Sequence, residues 1–222
     1  MLNMPITENT LNFLIENRQE NSKDWFHENR PAYTSDVLEP LTELVEALTP
    51  VMLDIDPHFE TNPRVDKTIS RIYRDTRFSR DKSLYRDVMW CGFQRPKIGK
   101  ESHPGFFLEF SPYRFRYGCG FYQASTEKMR AIREKILDDS LSFLHAQSAF
   151  TNQSVFEMEG ETFKKIHYRD QPLEKQNWLE RRNIFFVHNS VDFPWLFAED
   201  LASKLGENFT LLKPVYDFLL TA

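Results

Sequence analysis

The 222-residue chain is short of cysteine, with two, and of glycine, with seven, and its charge leans only slightly acidic, at −5. Two thiols, Cys91 and Cys119, fit a reduced compartment better than a disulfide framework. A bond between them would need neighbouring strands. No apolar run approaches the ~18 residues of a membrane span. The start, Met1-Leu2-Asn3-Met4-Pro5, has neither a basic nor an apolar leader region, so a cytoplasmic location is expected. The six histidines are scattered, with no His-Glu-x-x-His or Cys-x-x-Cys spacing, so no metal and no cofactor is expected. Gly-x-Ser-x-Gly and the glycine-rich phosphate loops are absent too. No residue pattern assigns a reaction.

Aromatic side chains are abundant, with twenty Phe, eight Tyr and four Trp. Each buries roughly 150–250 Å² when interior, enough for a sizeable core. No repeat, low-complexity linker or composition break interrupts the chain, so one domain over residues 1–222 is expected.

Charge is unevenly placed. From Arg64 to Lys100 eleven Lys and Arg face four Asp, an excess of +7, which leaves −12 on the rest of a chain whose total is −5. A basic patch on an acidic body attracts anions locally.

The N-terminal third has the helical period. Thr7 can cap a helix with Leu11, Leu14 and Ile15 on one face, and Asn21 or Ser22 can cap the next, which carries Trp25, Phe26 and Tyr33. Val37, Leu41, Leu44, Val45, Leu48, Val51 and Met52 continue the pattern. Pro40 either starts a new helix or kinks a longer one. Alternation then predicts strands at 104–110 and 113–117 around a Ser111-Pro112 turn, with Tyr113, Phe115 and Tyr117 on one face and Arg114 and Arg116 on the other. Gly118-Cys119-Gly120 signals a bulge or a close backbone approach. Helices are predicted from Ser125 with Met129, Ile132, Ile136 and Leu137 buried, from Ser140 to Phe150, and from Pro194 to Leu205 with Gly206 as its stop. A buried strand is predicted over 184–188, and a last helix carries Phe209, Leu212, Tyr216 and Leu219 across Pro214. The fold class is α+β: a largely antiparallel sheet flanked by helices.

The chemistry concentrates in Arg71-Ile72-Tyr73-Arg74-Asp75-Thr76-Arg77-Phe78-Ser79-Arg80-Asp81-Lys82-Ser83-Leu84-Tyr85-Arg86. If Arg71–Ser79 is extended, Arg71, Tyr73, Asp75, Arg77 and Ser79 share a face. Arg71, Arg74 and Arg77 would bind a phosphate or carboxylate, Asp75 and Asp81 would orient them, Tyr73 and Tyr85 would shape the pocket, and Lys82 and Arg86 would close it. Two alternatives stand beside this small anionic ligand. The basic-aromatic surface can meet an acidic partner, or single-stranded nucleic acid or a nucleotide. Or Asp75 and Asp81 satisfy the arginines in a structural ion network. Ser79 reads as a turn residue, and Cys119 as either a reactive thiol or a small filler.

The chain resembles the mainly bacterial family known as domain of unknown function 2461. The resemblance rests on Asn21-Ser22-Lys23-Asp24-Trp25-Phe26-His27-Glu28-Asn29 with Tyr33, on Arg71 to Tyr85, on Gly118 to Ile136 with Ile132-Arg133, and on Arg181 to Val187 with Leu212 to Leu219. It implies a single domain and no particular activity. The chain departs from the family pattern at Leu84, where proline is usual, at Ala124-Ser125, which lacks a proline, and at Lys164 to Tyr168, which lacks a Pro-x-Gly-aromatic piece.

Overall fold

The computed structural model describes residues 6–96 and 103–221. The helices α1 (Glu8–Glu20), α2 (Lys23–Glu28), α3 (Arg30–Tyr33) and α4 (Glu39–Ile55) precede a sheet with strands β1 (Met89–Gln94), β2 (Gly105–Phe110), β3 (Phe115–Gly120), β4 (Glu157–Glu159) and β5 (Phe185–Ser190). Between and after the strands lie α5 (Thr126–Leu137), α6 (Leu141–Thr151), α7 (Leu173–Leu179), α8 (Phe193–Leu196), α9 (Leu201–Leu211) and α10 (Lys213–Leu220). The antiparallel sheet runs in the order β1-β2-β3-β5-β4, and the fold is α+β. No described helix is long and apolar enough to cross a membrane.

Contacts gather the chain into two compact units. The first comprises the residues up to Phe93, Phe107–Arg116 and Asn189–Gly206; the second comprises Gln94–Phe106, Tyr117–His188 and the residues from Glu207 on.

In the first unit, α1 buries Leu11, Phe13 and Leu14, while Ile15 is only half-buried. Ser22 caps α2 by accepting from the Trp25 amide, and Asn21 instead ends α1 in the left-handed conformation, φ 48°. Pro40 starts α4 in its first turn, and the chain immediately before it, Thr34–Leu38, is wound as a π-helix. A proline has no N–H for the carbonyl four residues back. That carbonyl, of Asp36, accepts instead from the buried Thr10 hydroxyl at 2.5 Å. Leu41, Leu44, Val45, Leu48 and Met52 fill the α4 side of this core.

The first unit also contains β1 as far as Phe93, a strand that sequence patterning missed. Met89, Cys91 and Phe93 are buried and alternate with half-buried Trp90, Gly92 and Gln94; glycine, glutamine and cysteine weaken the strand signal there. Residues 68–70 run along this strand: the Ser70 amide donates to the Trp90 carbonyl (2.9 Å) and the Gly92 amide to that of Thr68 (2.8 Å).

The β2–β3 turn is two residues longer than alternation suggested. Tyr113 and Arg114 sit in it, Tyr113 71% exposed, while Phe115 is buried and Arg116 pairs with Glu109 at 2.7 Å. Gly206 does not stop a helix but lies inside α9 against Val51, where a Cβ would stand 3.1 Å from a methyl of that valine.

In the second unit, Phe143, Phe150, Trp178, Phe186 and Phe218 interlock at ring separations of 5.0–5.9 Å. Ser125 and Ser140 cap α5 and α6. Leu137, expected in the α5 stripe, is 40% exposed. Pro214 falls in the first turn of α10 rather than inside a longer helix. Gly118 marks a close approach: a Cβ there would run into the Phe186 carbonyl. Cys119 is fully buried, and burial pushes its thiol well above the ordinary range. It is a filler, not an exposed thiol. Cys91 and Cys119 are both free.

Candidate functional site

The arginine run leaves the 68–70 segment and folds back on itself. Only three residues on each side pair. The Arg74 amide donates to the Leu84 carbonyl and the Arg86 amide to that of Ile72, both at 2.9 Å, with Tyr73 opposite Tyr85. The extended stretch therefore ends near Arg74, and residues 75–83 form a loop rather than one alternating face. The physical reason is the pair of aspartates. Asp75 accepts from the Arg77 amide (3.2 Å) and Asp81 from the Ser83 amide (2.9 Å), local bonds that favour turns over a strand ladder.

Tyr73 and Tyr85 oppose each other without mutual backbone bonds, the arrangement that brings side chains closest. Their rings lie 5.2 Å apart. Tyr85 is buried and Tyr73 is 48% exposed. Phe26 packs against both, at 5.6 Å from Tyr73 and 5.0 Å from Tyr85, and against Tyr33 at 5.2 Å. Phe13 and Trp25 extend the cluster. The motif at Asn21–Tyr33 and the motif at Arg71–Tyr85 thus build one aromatic base. Burial, then the neighbouring Tyr73 phenol, pushes the Tyr33 hydroxyl far above its ordinary range against the pull of Arg30. Burial and Tyr73 likewise push Tyr85 up to about 12. The Tyr85 hydroxyl is enclosed and makes no hydrogen bond.

Arg80 apart, the charged residues of the run face partners within the first unit. Arg71 pairs with Asp66 at 2.7 Å. Arg74 bonds Asp81 and, at 3.4 Å, the Ser79 hydroxyl. Asp81 also takes Arg18 at 2.8 Å and the Ser83 hydroxyl, which together with the Ser83 amide hold its carboxyl far below the ordinary range. Arg77 grips Asp75 through Nε (3.0 Å) and Nη2 (2.7 Å), and this holds Asp75 down to about 2. Lys82 reaches the Thr76 carbonyl at 2.8 Å, while Arg86 donates to the Tyr73 carbonyl at 3.1 Å and lies 4.6 Å over the Trp90 ring. Ser79 is a turn residue, its amide donating to Thr76 at 3.3 Å.

Sequence reasoning grouped Arg71, Tyr73, Asp75, Arg77 and Ser79 on one face. The structure joins Arg74 with Ser79 and Asp81, joins Arg77 with Asp75, and sends Arg71 to Asp66. Four participants were not singled out: Arg18, Asn21, Asp66 and Phe78. Asn21 bonds the Leu84 amide at 2.7 Å. Phe78, at the outer end of the loop, is 96% exposed, the most exposed large apolar side chain described. Its signal was available: a phenylalanine amid five charged residues has no apolar neighbour to bury it.

Two further family motifs carry arginines that are structural. Arg133 donates to the carbonyls of Leu179 (2.9 Å), Met129 (3.1 Å) and Arg181, and lies 4.9 Å over Phe163. Arg181 donates to Gly160 (2.7 Å) and Met158 (3.2 Å). Burial lowers the pKa of both guanidinium groups. The Lys164–Tyr168 stretch is tied down by the Glu180 carboxylate, which accepts from the His167 and Tyr168 amides at 2.7 Å. Two clefts lie in the second unit. One, about 490 Å³, opens beside His145 and Asp217, and the other, about 620 Å³, beside Tyr122 and Asn183. Neither is lined by the arginine run. Among the described residues no group of three or more His, Cys, Asp or Glu is placed to hold a metal ion.

Over residues 9–218 the chain matches the family described as "Conserved hypothetical protein (DUF2461)", and it belongs to that family. No curated protein matches it.

Proposed function

We propose that this protein is a binding module that presents the loop 75–83 to a polyanionic partner. The observation that carries this reading is the combination at the loop's outer end. Phe78 is 96% exposed, yet the loop beneath it is held by the Arg74–Asp81, Arg18–Asp81 and Arg77–Asp75 pairs and by Lys82 on the Thr76 carbonyl. A loop that is already ordered loses little conformational freedom on binding. Among the described residues, Arg80 has no carboxylate partner, and it is exposed. The pairs made by Arg71 and Arg77 are solvent-exposed, with side chains 65% and 77% accessible. Such exposed pairs add little to stability, so a phosphate or carboxylate of the partner can take over the guanidinium at little cost.

A small anionic ligand is the second reading, and the half-exposed Tyr73 phenol favours it. In that case the Tyr73 O–H, rather than the carboxylate-paired arginines, would meet the anion.

The test is a titration of the intact protein with inorganic polyphosphate, followed by calorimetry at low salt. Binding that weakens in Arg80→Ala and Lys82→Ala, and falls with added salt, is the expected result. Equal binding by those variants would move the site off the loop. Binding of monomeric phosphate as tight as polyphosphate, lost in Tyr73→Phe, would favour the small-ligand reading.

A further inference from the structure

We propose, building on the loop reading above, that the polyanion is single-stranded nucleic acid, with Phe78 as a platform on which an unpaired base stacks. The surroundings of Phe78 decide between this and an acidic protein. A phenylalanine that anchors a protein interface is ringed by contacts that exclude water once the complex forms. Around Phe78 the chain offers Thr76, Arg77, Ser79, Arg80 and Lys82, with the Asp75 and Asp81 carboxylates taken up by Arg77 and by Arg74 and Arg18, and the Arg77 guanidinium lies 6.0 Å from the centre of the ring. An open ring face with cations beside it and no apolar rim suits a flat base joined to phosphates, because every base has a face to stack and a phosphate on either side.

The rest of the ribbon repeats the arrangement. Tyr73 is half exposed, and Arg86, over Trp90, is bonded to the Tyr73 carbonyl. Arg71, exposed, begins the same ribbon. A ring with a guanidinium beside it therefore recurs at the loop's end and at its base. Duplex recognition fits less well, since a ring stacks only on a base that is out of its pair.

The experiment measures fluorescence anisotropy of the intact protein with three labelled probes at low salt: a 20-mer of thymidine, an abasic deoxyribose-phosphate 20-mer, and polyglutamate of similar length. The thymidine strand is expected to bind tightest. Phe78→Ala is expected to weaken it roughly 5- to 150-fold, while Phe78→Trp retains binding. Arg80→Ala is expected to reduce the salt slope by about 0.7. Phe78 contacts almost nothing within the protein, so its variants fold. If the abasic and thymidine strands bind equally and Phe78→Ala matches the parent, stacking is wrong while the polyanion reading stands. If polyglutamate binds tightest, the partner is an acidic polypeptide and the inference falls. If no probe binds, both readings fall.

Discussion

The Leu84 amide donates to Oδ1 of Asn21 at 2.7 Å, across 63 residues of sequence. The bond joins the end of α1 to the return arm of the arginine run. A proline at position 84, the residue the family resemblance leads one to expect, would have no N–H to donate. Asn21 also holds φ 48° at the helix end, a conformation asparagine tolerates better than alanine. Asn21→Ala is expected to cost about 2–3 kcal/mol, from backbone strain of ~1–2 kcal/mol and a hydrogen bond of ~1 kcal/mol. Asn21→Gly restores the cap without the bond and recovers part of that loss. Urea denaturation of both variants checks the order.

The Tyr85 hydroxyl is buried without a hydrogen bond. Tyr85→Phe removes an unsatisfied polar group and is expected to leave stability unchanged or raise it. Tyr85→Ala also removes the ring between Phe26 and Tyr73 and is expected to cost about 3–5 kcal/mol, as large aromatic truncations do. A Tyr85→Phe variant as damaged as Tyr85→Ala in chemical denaturation would mean the hydroxyl has a partner.

Acid should loosen the loop before the core. Asp75 is held down to about 2 from an ordinary 3.8 by Arg77, and Asp81 is lowered as well, first by Ser83. A carboxylate whose pKa is lower when folded adds stability above its unfolded pKa and loses it as pH falls through the folded one. The loop should therefore hold from neutrality to about pH 4 and give way towards pH 2. A carbon-13 titration of the Asp75 carboxyl with its midpoint near 2 is expected; a midpoint at 3.8 would show that the Arg77 pair does not persist in solution.

Gly118 has no room for a side chain, because the Phe186 backbone occupies the space. Gly118→Ala is expected to cost several kcal/mol or prevent folding. In Gly206→Ala the new methyl meets only the Val51 side chain, at 3.1 Å, and gains helix propensity of about 1 kcal/mol, so the net change is small. Thermal melts of the two variants should separate them clearly.

Most helices were legible because their signals are local; α7 was not expected, and the helix expected from Pro194 to Leu205 is broken between α8 and α9. Period, Ser22, Ser125 and Ser140 caps, and prolines at first turns each act within a few residues. Other departures had partners distant in sequence: Pro40 required the Thr10 hydroxyl to take the stranded Asp36 carbonyl, and β1 rests on segments 68–70 and 105–110 rather than on its own alternation. The pairing of the run's arginines with its own Asp75 and Asp81 was legible as well. Which arginine meets which carboxylate depended on Arg18 and Asp66, outside the run. The reversal of the chain at Asp75 and Asp81 separated residues that an extended strand would have aligned.

The most direct test of the loop as a docking element is amide chemical-shift mapping of the intact protein with a short thymidine strand, repeated with polyglutamate. The account predicts that at least one probe shifts Arg77 to Lys82 most strongly, with smaller changes at Tyr73 and Arg86. Perturbations centred on the cleft beside Tyr122 and Asn183, or none with either probe, would contradict it.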